Sequence, residues 1–122
     1  MIIIIENGQF GNQLFQFNYC LKIANSDEKI VFIGFDDLSK FLKKSKYFFF
    51  FKKKNLLTKI IIKFRIPFIK IINISKIAKT IIQTYKNQNI SKQNGLFNFL
   101  TFVEGHFENE KFVNKNFEKY IK

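Results

Sequence analysis

Residues 2–20 have the sequence IIIIENGQFGNQLFQFNYC, in which an apolar run passes through a glycine-containing turn into a helical pattern. The opening run, residues 1–5, is mostly β-branched, which is typical of a strand buried on both faces of a parallel sheet. Residues 12–25 are mostly apolar with polar positions at helical spacing, which predicts a largely buried helix. The stretch therefore predicts a strand, a turn and a helix in succession.

The predicted helix carries two sets of polar side chains. Asn18, Lys22 and Asn25 recur at helical spacing and form one polar stripe. Gln13 and Gln16 fall roughly opposite that stripe, on the inward side of the first turn. Because buried amides need hydrogen-bond partners, we expect both glutamines to be bonded within the protein.

Residues 29–35, KIVFIGF, form a second predicted strand. A strand, a turn, a helix and a strand within about 35 residues predict a right-handed βαβ unit. Asp36, Asp37 and Ser39 end the second strand, and Ser39 is expected to cap a short helix that continues through Leu42. Capping is the favoured role of the two aspartates as well. The alternative is a ribose-binding acid, which some nucleotide-binding folds place after this strand.

The middle of the chain mixes aromatic, isoleucine-rich and lysine-rich segments. Residues 47–51 are five consecutive aromatics, which favours a core strand over the alternative of a membrane-facing wedge. Residues 56–64 repeat apolar positions at helical spacing and predict an amphipathic helix, with isoleucine-rich strands as the competing interpretation. Pro67 disfavours helix just before it, so two helices or one kinked helix are expected, with the second running over residues 68–85. Residues 87–95 are polar and predict a loop.

The C-terminal part predicts a return to the sheet followed by a helix. Residues 100–103 resemble a third strand, and Gly105 marks a turn after it. Residues 109–122 place apolar side chains on one helical face, and acidic residues at the start and lysines at the end suit the helix dipole. We therefore expect a final helix there.

The 122 residues are enough for one small domain and carry a formal net charge of +12. Residues 38–103 contain fifteen basic residues and no acid, so the excess charge lies in the middle of the chain. The simpler interpretation is that these basic residues lie on solvated helix faces. The alternative is that they form a cationic surface that binds an anionic membrane leaflet. Nucleic acid is not an expected partner, because Arg65 is the sole arginine and no nucleic-acid-binding motif is present.

Other functional classes are excluded by what the sequence lacks. Lysines interrupt every apolar run between residues 60 and 82, so no segment is expected to span a bilayer. The lone Cys20 excludes a disulfide framework, favours a reducing compartment, and is expected to be inert core. No cluster of histidine, cysteine or aspartate has metal-ligand spacing, so we predict no metal site. The reducing compartment goes with an expected cytoplasmic location.

The glycine-containing turn is the most specific feature. A turn of this kind between a buried strand and a helix exposes backbone N–H groups beside the positive end of the helix dipole, where anions bind. Gly8 and Gly11 complete neither the dinucleotide-binding fingerprint nor a P-loop, so a simple close turn is the alternative. Glu6, just before the turn, either orients the loop or forms a solvated strand end.

Two separated segments resemble bacterial α-1,2-fucosyltransferases of glycosyltransferase family 11. The first is IENGQFGNQLFQF, residues 5–17, which is similar to the family's opening strand and GGxGNQLFQ-type loop. The second is FVEGHFENEKF, residues 102–112. Gln9 stands where the family has a second glycine, and His106 and Glu108 stand where it tends to have Tyr and Gln. The family's later His-x-Arg-Arg-x-Asp motif has no counterpart here, so we interpret the chain as an N-terminal portion.

The resemblance implies an α/β fold: the N-terminal Rossmann-like lobe of a GT-B-type glycosyltransferase, with a short parallel sheet and several helices. The single lobe would comprise a βαβ unit (residues 1–37), a basic, mostly helical insertion (38–95), and a strand with a C-terminal helix (96–122). The donor-binding lobe would be absent. The implied reaction transfers fucose from GDP-fucose to a galactose hydroxyl with inversion, without a cofactor. The chain alone is expected to be nearly inactive, and its alternative function is a non-catalytic basic module that binds anionic membrane.

The resemblance also implies which residues meet the substrates. The loop would border the cleft and contact the donor phosphate or sugar through six residues: Gly8, Gln9, Phe10, Gly11, Asn12 and Gln13. His106, the sole histidine, is the candidate catalytic base, and a plain turn histidine is the alternative. The expected partners are GDP-fucose, a galactoside acceptor and, peripherally, the inner membrane.

Overall fold

The computed structural model describes residues 1–84, 89–108 and 116–122. One six-stranded sheet has the order β3-β2-β1-β6-β4-β5. The strands are β1 (Ile2–Ile5), β2 (Ile30–Ile33), β3 (Phe48–Phe51), β4 (Ala78–Gln83), β5 (Ile90–Gln93) and β6 (Phe97–Glu104). The helices are α1 (Phe10–Ile23), α2 (Asp36–Phe41), α3 (Leu56–Lys63) and α4 (Arg65–Ser75), followed by a short 3-10 helix (Phe117–Tyr120).

The sheet is parallel except at one edge. β1 pairs in parallel with both β2 and β6, β2 with β3, and β4 with β6, while β5 lies antiparallel to β4. The predicted strand, turn, helix and strand at the N-terminus are confirmed as β1, α1 and β2. The chain is therefore α/β, with a mostly parallel sheet that is compatible with a Rossmann-like lobe.

The main core lies between the sheet and α1. The ring of Phe17 on α1 packs 5.8 Å from that of Phe32 on β2 and 5.6 Å from that of Phe48 on β3. The predicted aromatic strand is confirmed as β3, an edge strand in which Phe48 and Phe50 join the core. Alternate residues of a strand point to opposite faces, so Phe49 falls on the other face, where it is exposed.

Helices α3 and α4 lie on the opposite face of the sheet. The ring of Phe68 on α4 packs 5.9 Å from that of Phe102 on β6, and Thr80 on β4 donates a hydrogen bond to Asn73 on α4. The predicted amphipathic helix is confirmed as α3. The helix pair breaks at Phe64 rather than at Pro67, because proline is accepted within the first turn of a helix.

Two predicted segments of the basic middle are wrong. The second helix ends at Ser75 because Lys76 adopts a left-handed conformation with φ 53°, and residues 78–83 form β4 instead. The predicted polar loop over residues 87–95 contains β5, whose polar side chains suit the edge of a sheet. The basic middle thus supplies three of the six strands, and its predicted helical character holds only for α3, α4 and the end of α2.

Three smaller expectations also need correction. Ser39 lies inside α2 rather than capping it, and its hydroxyl donates to the carbonyl of Asp36. Asn18 is buried and its amide donates to the carbonyl of Leu14, and Asn25 lies beyond the end of α1, so Lys22 alone of the predicted polar stripe is exposed on this helix. Of the predicted final helix, residues 109–115 lie outside the described residues, and residues 117–120 form a 3-10 helix.

Candidate functional site at the carboxyl edge of the sheet

The candidate site lies where the parallel strands end at their carboxyl termini. From β1 the strand order runs to β2 and β3 on one side and to β6, β4 and β5 on the other. Open α/β sheets bind ligands outside the carboxyl ends of their strands, where the strand order reverses. The glycine loop follows β1 at this edge, and Gly105 and His106 follow β6 beside it.

The glycine loop is open to solvent at the start of α1. Gly8, Gln9 and Gly11 are exposed, and Gln9 is the residue before the helix but makes no capping bond with its side chain. The first N–H groups of any α-helix have no partner within the helix. The first turn of α1 also contains no acidic side chain to occupy them. The expectation of accessible backbone donors at this turn is therefore consistent with the geometry.

Gly8 has a backbone conformation that side chains rarely adopt. Its φ is 95°, and a Cβ atom there would come within 2.3 Å of the Asn12 amide nitrogen. Gly11 differs, because a Cβ atom at that position meets nothing within 4 Å. The two glycines thus have separate roles, one in forming the turn and one in keeping its outer surface clear.

Beside the loop, the buried Glu6, Asn7 and Glu104 and the partly exposed Lys53 and Arg65 form a polar cluster, called here the buried polar cluster after its buried acids. A Glu104 oxygen lies 3.1 Å from the Arg65 Nε and accepts a 3.0 Å hydrogen bond from the Asn7 amide. Arg65 also donates to the backbone carbonyl of Glu6 at 3.2 Å. The cluster therefore ties β1 to β6 and both strands to the start of α4.

Glu6 is part of this cluster rather than a solvated strand end. Its side chain is 10% exposed, and one oxygen lies 2.6 Å from the Nζ of Lys53. Gly34, after β2, allows this close approach, because a Cβ atom there would lie 2.9 Å from the other Glu6 oxygen. Of its two suggested roles, orienting the strand end beside the loop fits this geometry.

Burial governs the ionisation of Glu104. Desolvation raises the pKa of this carboxyl above its usual range, and the neighbouring Arg65 and the hydrogen bond from Asn7 offset only part of that effect. The protonated form is thus more favourable in the folded protein than in the unfolded chain. Buried acids with a raised pKa recur at functional sites and also in structural ion-pair networks.

We predict that the stability of Glu104→Gln relative to the wild type increases as pH rises. Because folding raises the Glu104 pKa, the stability linked to its proton is present below the unfolded pKa of about 4.3 and is lost as pH rises through the folded value. Glutamine cannot ionise, and its oxygen still accepts from Asn7. Thermal unfolding measured from acidic to neutral pH should show the Tm of the variant rising relative to the Tm of the wild type. A Tm difference that is constant with pH, as small as that of the exposed control Glu118→Gln, would contradict this.

The two segments that carry the family resemblance meet in space. Their strands, β1 and β6, pair from Ile2–Thr101 to Ile4–Val103. Gln16 on α1 donates a 2.9 Å hydrogen bond to the carbonyl of Gly105, and the rings of Tyr19 and Phe107 stack with centroids 3.9 Å apart. Residues some 85 to 100 positions apart in the sequence therefore contact each other near the carboxyl ends of β1 and β6.

The two inward amides have the partners expected of them. Besides the bond from Gln16 to Gly105, the Gln13 oxygen accepts from the backbone N–H of Leu38 at 3.3 Å. Gln13 is 2% exposed, so its side chain braces α1 against α2 and does not face the solvent. Among the six predicted loop residues, the side chain of Gln13 is therefore turned away from the open surface.

The other candidate residues lie outside the buried polar cluster. His106 is partly exposed, with its Nδ1 3.5 Å from a Glu108 carboxylate oxygen. Asp36 accepts a 3.0 Å hydrogen bond from the Lys53 backbone, and Asp37 pairs with Lys40 at the surface. Both aspartates lie in the first turn of α2, where their charge suits the helix dipole, although neither side chain caps it.

Sequence reasoning missed several members of the cluster. Asn7, Lys53, Arg65 and Glu104 received no role from the sequence, although Glu104 lies within the second resembling segment. The available signal was Arg65, because it is the one arginine among 21 basic residues. Arginine is preferred over lysine where a buried cation must hold several acceptors at once.

Cys20 lies in the core, as expected. It is fully buried among apolar side chains, and burial raises the pKa of its thiol far above the usual range. Burial also raises the pKa of the adjacent Tyr19 to about 12. The thiolate is the reactive form of cysteine, so this side chain is suited to packing rather than chemistry.

Comparison of the chain with protein-family models, curated proteins and solved structures finds no match. Within the described residues, no three His, Cys, Asp or Glu side chains are grouped so as to hold a metal ion. The helices of that same part of the chain all fall short of the length and apolarity required to cross a bilayer.

Proposed function

We propose that this chain is one lobe of a glycosyltransferase that uses a sugar nucleotide, with GDP-fucose as the donor and a galactoside hydroxyl as the acceptor. The observation that carries the proposal is the meeting of the two resembling segments at the carboxyl edge of the sheet. Two short segments that are distant in the sequence would both resemble the same family if they border the same substrate cleft. Parallel α/β sheets bind their ligands at this edge.

In this proposal the glycine loop holds the pyrophosphate of the donor. Gly8, Gln9 and Gly11 are exposed at the positive end of α1, where the first N–H groups have no partner within the helix. The half-buried Asn12 and the N–H of Phe10 lie in the same turn. Gln13 acts indirectly, by fixing the start of α1 against α2.

The buried polar cluster lies beside the glycine loop and stabilises the strand ends that carry it. Its cations are already paired, Lys53 with Glu6 and Arg65 with Glu104, so they are poorly placed to neutralise a leaving pyrophosphate. Glycosyl transfer with inversion needs such positive charge and a base for the acceptor hydroxyl. We assign the missing charge to a second lobe, and we keep His106 as the proposed base.

The test separates a backbone donor from the side chain that carries it. Phe10→Pro removes one N–H at the first position of α1, where proline is well tolerated, while Phe10→Ala removes the same ring and keeps the N–H. Amide chemical shifts of the loop, followed by NMR during titration with GDP-fucose, give the affinity. We expect Phe10→Pro to bind at least about tenfold more weakly than Phe10→Ala, since a hydrogen bond to a charged group is worth about 1.5–3 kcal/mol.

Two results would count against the proposal. One is that GDP-fucose at millimolar concentration leaves the Gly8 and Gly11 amide signals unshifted in the wild-type chain. The other is equal affinity of the two Phe10 variants. Release of GDP with a galactoside present is expected to be barely detectable, because positioning groups on one side of the cleft are absent and positioning is worth on the order of 7–11 kcal/mol.

A further inference from the structure

The outer side of α3 is apolar where a surface helix is normally polar. Leu56, Ile60 and Phe64 are four residues apart and therefore lie along one stripe. Their exposed fractions are 71%, 46% and 52%. Thr58, on the opposite side of the helix, is buried against the rest of the protein. This helix thus presents an apolar stripe to the solvent.

Helix α4 also exposes apolar side chains at helical spacing. Pro67, Ile71 and Ile74 recur at helical spacing and are all exposed, Ile74 to 77%. Ile69 is buried on the side that faces the sheet. Soluble monomers seldom leave a large contiguous apolar patch uncovered, and such a patch usually marks an interaction surface.

Lysines flank this apolar surface, and no acid accompanies them. Lys59, Lys63 and Lys70 are exposed on the two helices, and Lys76 is exposed just after them. None of the four forms an ion pair with a residue in the described ranges. Residues 38–103 contain no acidic residue at all. The surface therefore combines exposed apolar side chains with uncompensated positive charge.

We propose that this lipid-docking surface, formed by Leu56, Ile60, Phe64, Pro67, Ile71 and Ile74 with the flanking lysines, binds the face of an anionic lipid bilayer. Interfacial helices have this pattern, in which apolar side chains enter the headgroup region and lysines meet lipid phosphates. Each lysine near an anionic surface strengthens the binding. The two helices then lie in the membrane plane without crossing it.

Charge complementarity favours a bilayer over a second copy of the chain. Two copies docked through this surface would bring their lysines together with no acid to pair them. An anionic bilayer supplies negative charge at the rim of the surface and an apolar interior beneath it. The docking surface also adjoins the candidate site, because Arg65 starts α4 and reaches Glu6 and Glu104.

The chain contains no tryptophan, so a single tryptophan reports on its own surroundings. Phe64→Trp lies on the lipid-docking surface, and Phe41→Trp, at the end of α2 on the other face of the sheet, is its control with a similar exposure, 50% against 52%. With vesicles that contain brominated phosphatidylglycerol, we expect quenching and a blue shift of the emission for Phe64→Trp only. Equal quenching of both variants, or of neither, overturns the proposal.

The charge requirement is tested with two double variants that remove the same charge. Lys59→Gln with Lys63→Gln acts on the docking surface, and Lys44→Gln with Lys46→Gln acts in the loop before β3. Sedimentation with vesicles containing phosphatidylglycerol should show the first pair weakening binding about thirtyfold and the second hardly at all. High salt should release the wild-type protein. Binding that ignores salt, or equal effects of the two pairs, overturns the proposal.

A third variant distinguishes a bilayer from a protein partner. Ile71→Ser with Ile74→Ser removes two exposed apolar side chains and should leave Tm unchanged while weakening vesicle binding. Analytical ultracentrifugation of the wild type should show one species whose mass does not depend on protein concentration. A wild-type dimer that this variant dissociates would identify the surface as a contact between two chains and would overturn the lipid assignment.

Discussion

Replacing Arg65 with alanine is expected to lower the free energy of unfolding by about 3 kcal/mol, a large effect for one residue outside the main core. The side chains of Arg65 and Glu104 are only 17% and 11% exposed. Alanine would leave the Glu104 carboxylate buried without its cation and the Glu6 carbonyl without its donor. The loss therefore reflects a stranded charge more than the net value of the ion pair.

Chemical denaturation of the wild type and the variant measures this effect. Lys63→Ala is the matched control, because it removes an exposed cation two positions away and should cost less than about 0.5 kcal/mol. The double variant Arg65→Met with Glu104→Gln removes both charges and should recover most of the loss. If Arg65→Ala is no more costly than Lys63→Ala, the cluster does not stabilise the carboxyl edge of the sheet.

The N-terminal βαβ unit could be predicted because its signals are local. An uninterrupted β-branched run, two glycines and a helical spacing each restrict the backbone independently, and they agree with one another. The inward orientation of Gln13 and Gln16 followed from helical geometry alone, and each side chain makes a hydrogen bond within the protein.

The strands of the middle segment could not be predicted because their stability comes from distant partners. Residues 78–83 alternate only partly, and they follow an isoleucine-rich helix whose composition they share. Their pairing with β6, some twenty residues later, decides the outcome. The polar strand β5 has no hydrophobic pattern of its own, and it forms as the antiparallel edge of β4.

Only part of the candidate site could be predicted, because some of its residues are neighbours in the sequence and others are distant from one another. The glycine loop is contiguous in sequence, so its exposure could be inferred from residues 8–13 alone. The buried polar cluster joins five residues from four places in the chain, and nothing local indicates that Lys53 approaches Glu6. Its assembly depends on the strand order, which brings β6 beside β1 and the start of α4 over both.

Gly8→Ala is expected to lower the free energy of unfolding by about 2 kcal/mol. A residue with a Cβ atom is strained at φ 95°. The new Cβ atom would also lie 2.3 Å from the side-chain nitrogen of Asn12 and would displace that side chain. The start of α1 should shift as a consequence, and with it the N–H groups proposed to bind the donor. Chemical denaturation and loop NMR spectra measure the two effects on the same protein.

Gly11→Ala is the matched control and separates stability from binding. It adds the same methyl group without strain, because the backbone is helical there and the new atom meets nothing within 4 Å. Alanine in place of a helical glycine should raise stability by roughly 0.5 kcal/mol. The methyl group would nevertheless stand on the outer surface of the turn, so GDP-fucose should bind more weakly. Unchanged GDP-fucose affinity in a stabilised Gly11→Ala variant would show that the donor does not approach this surface, whatever Gly8→Ala does to the fold.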